Sequence, residues 1–428
     1  MLQKFLPLLM KLRERSPSTF DLLVRFAKRF MGGTFGVYPR LLGSELQAVT
    51  EVLRSSQWNM AYGRGLVHER LEAEFAELVG ARHAVAVGSG GVAIQMSLRA
   101  LGLKPGDEAI HQVDTCSATA MAVMNAGVTP VFADISRETF MLDCSDVRGR
   151  IGPQTRALIT THMWGNPENI AALQTLARER GLLLIEDACL GLGSVADGKP
   201  AGSQGDVGVF SFGCIKPIQT GEGGMIVTSD DALASELRSL RHWGDRTIEF
   251  GVRDATQLAW NGRMSEILAA VAREQLRGYP KHLAELRESV TEFEGALADV
   301  PGLTLVLGAG EAVSCCAFTQ IVLRIDETAL GIDKDALMRE LTRNGVPNWH
   351  ANFELINSLS FFRSRSWRDW ILRGDIDRVA KNNSGSFAIA EDVYARSGIG
   401  LSKSNFLSTG NRKHVSGVLH ALCKTRKH

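Results

Sequence analysis

The chain is short of most features that would assign it quickly. Its seven cysteines are scattered with no CxxC pair, which leaves no thioredoxin-type motif and no ribbon of metal-binding thiols. Among ten histidines there is no HExxH and no His/Cys cluster at ligand spacing, so no metal centre is expected. No uninterrupted apolar stretch is long enough to span a bilayer. With 48 basic residues against 47 acidic ones, no overall field draws in nucleic acid. There is neither an internal repeat nor a low-complexity tract.

What remains is ordinary for a globular enzyme. The 428 residues, 45% hydrophobic and 22% charged, suffice for two domains with substantial cores. Several cysteines lie in apolar runs, which reads as reduced thiols in a cytoplasmic protein.

The informative stretch is Leu182–Thr228. It opens on an apolar run, Leu182–Ile185, that reads as a buried parallel strand ending in Glu186 and Asp187. Open α/β sheets present their ligands at such strand ends. A second apolar run, Val207–Phe212, carries Ser211 near its end, with Lys216 five residues further on; the turn Gly221-Glu222-Gly223-Gly224 then leads into a third, Met225–Thr228. A strand-end carboxylate can pair with a protonated ring nitrogen, a loop lysine can form a Schiff base with an aldehyde, and a nearby hydroxyl can hold a phosphate. Together these are what pyridoxal 5′-phosphate (PLP) requires.

Upstream, a strand at Ala84–Val87 runs into Gly88-Ser89-Gly90-Gly91 and then a helix. Free N–H groups and the helix dipole converge at such a junction, so Gly90 and Gly91 are candidate phosphate contacts.

The segments IEDA at 185–188, GDVGVFSF at 205–212, the Ser211-x4-Lys216 spacing and GEGG at 221–224 resemble the DegT-type sugar aminotransferases, fold-type I PLP-dependent enzymes. The resemblance runs over roughly residues 39–420 and is strongest over 80–265. It implies an α/β large domain with a mostly parallel seven-stranded sheet (38–280) and a smaller C-terminal α+β domain (281–428). It also implies Lys216 as the Schiff-base lysine, Asp187 as the pyridinium partner and Ser211 as a phosphate ligand. LAWNGRMSEIL is similar to the family's Asn-x-Arg-Met stretch, which makes Asn261 a contact to the partner subunit's cofactor phosphate in a homodimer; Arg263 is given no catalytic role. The expected reaction moves an amino group from an amino acid donor to a keto-sugar, in some members nucleotide-linked, or to a keto-cyclitol.

Three cofactor-facing positions depart from the family pattern. Gly91 stands where Ser or Thr is usual, which shifts phosphate binding toward backbone amides. Cys116 takes the place of a ring-stacking aromatic, or is simply core. Leu190 replaces a Gln or His near the cofactor's phenolic oxygen and cannot donate a hydrogen bond. THMWGNP and Leu192-Gly193-Ser194 also resemble the sugar 3-dehydratase branch, but there a histidine replaces the lysine that this chain retains. Two alternatives therefore stand beside the aminotransferase. One is dehydration, decarboxylation or carbon–carbon chemistry on the same fold. The other is a non-catalytic PLP-binding scaffold.

Residues 1–37 are apolar and basic, with a face of Phe20, Leu23, Val24 and Met31. Packing on the body or on a partner subunit is favoured over contact with a membrane surface. Further on, a charged helix is expected over Lys281–Glu294. His350 is a candidate substrate contact, and the Trp-rich stretch 359–383 reads as an insertion or lid.

Overall fold

The computed structural model describes residues 42–424, apart from 59, 61–66, 246–253, 309–311, 352–353, 365, 371–375 and 407. The N-terminal extension lies outside the described residues.

Seven strands form the main sheet: β1 (His83–Val87), β2 (Glu108–Gln112), β3 (Thr129–Ala133), β4 (Thr155–Thr161), β5 (Leu183–Asp187), β8 (Val207–Ser211) and β9 (Gly224–Thr228). The short hairpin β6 (Val195–Ala196) and β7 (Lys199–Pro200) lies outside it. The order is β1-β9-β8-β5-β4-β2-β3, and only β9 runs against the others. Both faces are covered, so strands such as β1 (HAVAV) and β8 (VGVFS) are largely apolar on both sides, whereas β2 buries Glu108, His111 and Gln112. Along β1, Ala84 and Ala86 join one core with Phe75 and Phe210, while Val85 and Val87 join another with Ile94 and Ile226. The Phe75 and Phe210 rings meet edge to face, their centroids 4.9 Å apart.

A second sheet, four-stranded and antiparallel, has the order β10 (Leu303–Leu305), β11 (Ile321–Ile325), β13 (Gly398–Leu401), β12 (Asn348–His350). It packs with the Lys334–Arg343 and Thr409–Lys424 helices around Leu323, Leu337, Ile399 and Leu419.

One helix, Glu266–Leu297, serves both cores. The sequence reading starts it at Lys281; instead it begins fifteen or so positions earlier and passes through Gly278 and Pro280 without a break. Proline costs an intrahelical hydrogen bond, but flanking contacts hold the rod together. Ala269, Ala272 and Leu276 are buried in the large-sheet core, and Val290, Phe293 and Leu297 in the small one. Beside the proline, the Tyr279 hydroxyl donates to the Leu192 carbonyl at 2.5 Å.

The described residues of 359–383 cover the outer edge of the sheet rather than forming a lid. Asn383 acts as a surrogate neighbour for edge strand β3: its Oδ1 accepts from the Phe132 N–H and its Nδ2 donates to the Pro130 carbonyl, both at 2.9 Å. Trp367 is buried and Phe362 packs edge to face on Phe132. An edge left open would template pairing with another chain.

Candidate active site

The parallel strands end on one side of the sheet, and their tips carry the chemistry. Asp187 closes β5 and Thr161, its register partner, closes β4. Asp187 is 4% exposed. Its Oδ1 accepts from the Cys189 N–H and its Oδ2 from the Thr119 hydroxyl, each at 3.2 Å. Both donors escaped the sequence reading; Thr119 lies 68 positions from Asp187, and nothing local links the two.

Behind Asp187 the neighbouring Glu186 is buried on the opposite side of the strand. It accepts from the N–H groups of Gly202, Gln204 and Gly205 and from His162 Nε2 at 2.9 Å. His162 Nδ1 accepts from the Glu168 N–H, which leaves Nε2 as the nitrogen that donates to Glu186. Burial alone would raise the Glu186 carboxyl, but the His162 bond and the backbone donors hold it below the usual range. The His162 N–H donates to the Asp187 carbonyl at 3.1 Å, which fixes the backbone at the strand tip.

On the adjacent strand, Ser211 faces the start of the Gly90–Ala100 helix. Ser89 caps that helix, accepting from the Val92 N–H. A Cβ on Gly90 would lie 2.8 Å from Ser211 Cβ and 2.9 Å from the Cys189 sulfur, and one on Gly224 would lie 2.7 Å from the Ser89 carbonyl carbon. Glycine is therefore required where β8, β9 and the helix start converge. The first-turn amides of this helix have no intrahelical partner and favour an anion.

Lys216 sits half-buried on the β8–β9 loop, its carbonyl accepting from the Gln219 side chain. Its amine shares a neighbourhood with Cys189. Burial pushes that thiol well above its usual value and Asp187 adds to the effect, while Lys216 opposes it and Cys116 contributes a small rise. Lys216, Asp187 and Cys116 are thus neighbours of Cys189, and Gly90 packs against both Cys189 and Ser211. Cys116 is exposed at the start of the Ser117–Asn125 helix. Gly91 follows Gly90 in the first turn of its helix. Leu190 is 9% exposed and belongs to the apolar cluster that includes Met163 and Trp164.

Asn261 is exposed beside the exit of β1, where Gly88 donates to the Gly262 carbonyl. Two residues on, Arg263 lies over the Trp243 ring at 4.0 Å and donates to His242. His350 stacks on Tyr394 in the small lobe, their centroids 4.9 Å apart.

A ring-nitrogen acceptor, a loop lysine, a hydroxyl beside unpaired helix amides and a cradle that only glycine leaves open fit PLP. The family model for DegT/DnrJ/EryC1/StrS aminotransferases matches residues 40–368. The chain belongs to this family. Among solved structures, DesI, crystallised in the presence of its TDP-sugar product, is 30% identical with a TM-score of 0.74, covering 90% of each chain. DesV of S. venezuelae is 28% identical with a TM-score of 0.77, over 91% of this chain and 96% of that one. The aminotransferase TlmJ of Streptoalloteichus hindustanus is 28% identical with a TM-score of 0.75, over 90% and 97%. The DegT/DnrJ/EryC1/StrS enzymes are PLP-dependent aminotransferases, and the expected fold-type I architecture is present. No helix among the described residues is long and apolar enough to cross a membrane.

Proposed function

We propose that the protein transfers an amino group from an amino acid to a keto-sugar, free or nucleotide-linked, or to a keto-cyclitol. The observation that carries this is the convergence of Lys216, Asp187, Ser211 and the Gly90 helix start at one sheet edge. The TDP-sugar product of DesI supports the sugar class. When bound, PLP supplies an electron sink. Ser211, Gly90 and Gly91 would hold its phosphate, and the Asp187 carboxylate would accept a hydrogen bond from the protonated ring nitrogen. Lys216 would hold the cofactor's aldehyde carbon, and its freed amine would be the base that takes the donor's α-proton and the acid that returns it.

The exposure of Asn261 supports a homodimer in which each chain completes the other's phosphate site. Cys189 and Cys316 are buried in the apolar interior, and we place the protein in the cytoplasm. We assign residues 38–280 and 281–428 as the two domains, their joint inside the Glu266–Leu297 helix. A second reading, a different PLP reaction such as dehydration, rests on Leu190, an aliphatic side chain where the family places a hydrogen-bonding one.

The test is the visible spectrum of the purified protein with L-glutamate or L-glutamine, followed by product analysis with keto-sugar and keto-cyclitol acceptors. The aminotransferase reading expects a cofactor band that is absent in Lys216→Ala, bleaches with donor and returns with acceptor, one keto acid forming per amine transferred. No cofactor after reconstitution overturns it. A band accompanied by product formation without donor consumption transfers the assignment to the second reading.

A further inference from the structure

The two hydrogen bonds on Asp187 come from different elements and fall on different oxygens. A carboxylate torsion is broad and roughly two-fold, so a single donor leaves the plane of the group free to swing. Cys189 donates through its backbone, which follows the β5 tip itself. Thr119 approaches from the third position of the Ser117–Asn125 helix and is 1% exposed. Its own N–H is spent on the Cys116 carbonyl. A carboxylate can only accept, so the single hydroxyl proton of Thr119 must point at Oδ2. The helix also presents its positive end to the carboxylate, which favours the negative charge there.

We propose that Thr119 is a positioning residue: its hydroxyl locks the plane of the Asp187 carboxylate so that the remaining lone pairs hold a proton on the cofactor's ring nitrogen. This rests on the PLP reading given above. Removing the hydroxyl leaves Cys189 alone on the carboxylate and lets the ring nitrogen lose its proton at lower pH. Other ionisable groups near Asp187 do not confuse that readout. Burial pushes His111 of β2 down to about 4, with Asp187 opposing, so it stays neutral across the useful range. Burial keeps Cys189 a thiol. The Lys216 nitrogen, joined to the cofactor, keeps a titration of its own, which the visible band follows separately from the ring nitrogen.

The experiment is nitrogen NMR of the holoenzyme reconstituted with ring-15N PLP, titrated from pH 6 to 10 for wild type, Thr119→Val and Thr119→Ser. The ring nitrogen should stay protonated throughout in wild type and in Thr119→Ser. In Thr119→Val it should deprotonate at least about one pH unit earlier, with a fall of about 10- to 100-fold in the rate of bleaching by donor, the range typical of losing an outer partner. An unchanged titration in Thr119→Val overturns the proposal. So does an equal shift in Thr119→Ser, which would mark a packing role. A wild-type protein that binds no labelled PLP fails at the earlier step and removes the functional reading itself.

Discussion

Gly90 and Ser211 are packed so closely that the smallest side chain on one collides with the other. The collision falls on a β-carbon held by strand β8, not on a flexible tip, so the helix start must move away. Gly90→Ala is therefore expected to weaken PLP retention by at least about 10-fold while leaving most of the fold intact. Dialysis followed by the visible spectrum measures it, and full retention would show that the helix start does not grip the phosphate.

His162 is the only side-chain donor that the buried Glu186 carboxylate receives among the described residues. His162→Ala should destabilise the protein by about 2–4 kcal/mol in urea unfolding, because a buried charge loses a partner. The Glu186 carboxyl is held below its ordinary 4.5 in the folded state. Its contribution is thus present above that pH and is lost as acid protonates it. The gap between wild type and variant should close on acidification below about pH 4.5.

Lys403, 8% exposed, behaves in the opposite sense. Burial pushes its amine down to about 7 from an ordinary 10.5. Between those values the unfolded chain binds the proton and the folded chain does not, so stability rises with pH across that window. Lys403→Met should stabilise at pH 7 by on the order of a few kcal/mol. That advantage should shrink as the pH approaches 10, as thermal melts at both ends would show.

Asn261 offers a test of the shared site. Lys216→Ala and Asn261→Ala homodimers should each be strongly impaired. Subunit exchange between them creates dimers with one intact and one doubly damaged site, restoring about a quarter of wild-type activity at equal mixing. No recovery would place both residues in the same chain's site.

Legibility in the sequence followed locality. The β5 tip, the Ser211–Lys216 spacing and the Gly90 junction are contiguous segments whose residue types carry their meaning, and the structure brings them together. Thr119 was invisible because its value depends on a contact across 68 positions. Pro280 misled, since a proline normally marks a helix limit, and here contacts to both cores outweigh its cost. The Trp-rich stretch reads as an insertion or lid, and its Asn383 and Phe362 are spent on the edge of β3, a long-range contact that local sequence does not carry.

The rod from Glu266 to Leu297 has a consequence for engineering. For an exchange of C-terminal halves between relatives, Pro280 is the first splice point the sequence offers. A splice there cuts through the middle of a load-carrying beam, separating Leu276 and Tyr279 from Leu283 and Leu286. Chimaeras joined ahead of Glu266 or past Leu297 keep that beam from a single parent, and those are the junctions at which hybrid enzymes should remain foldable.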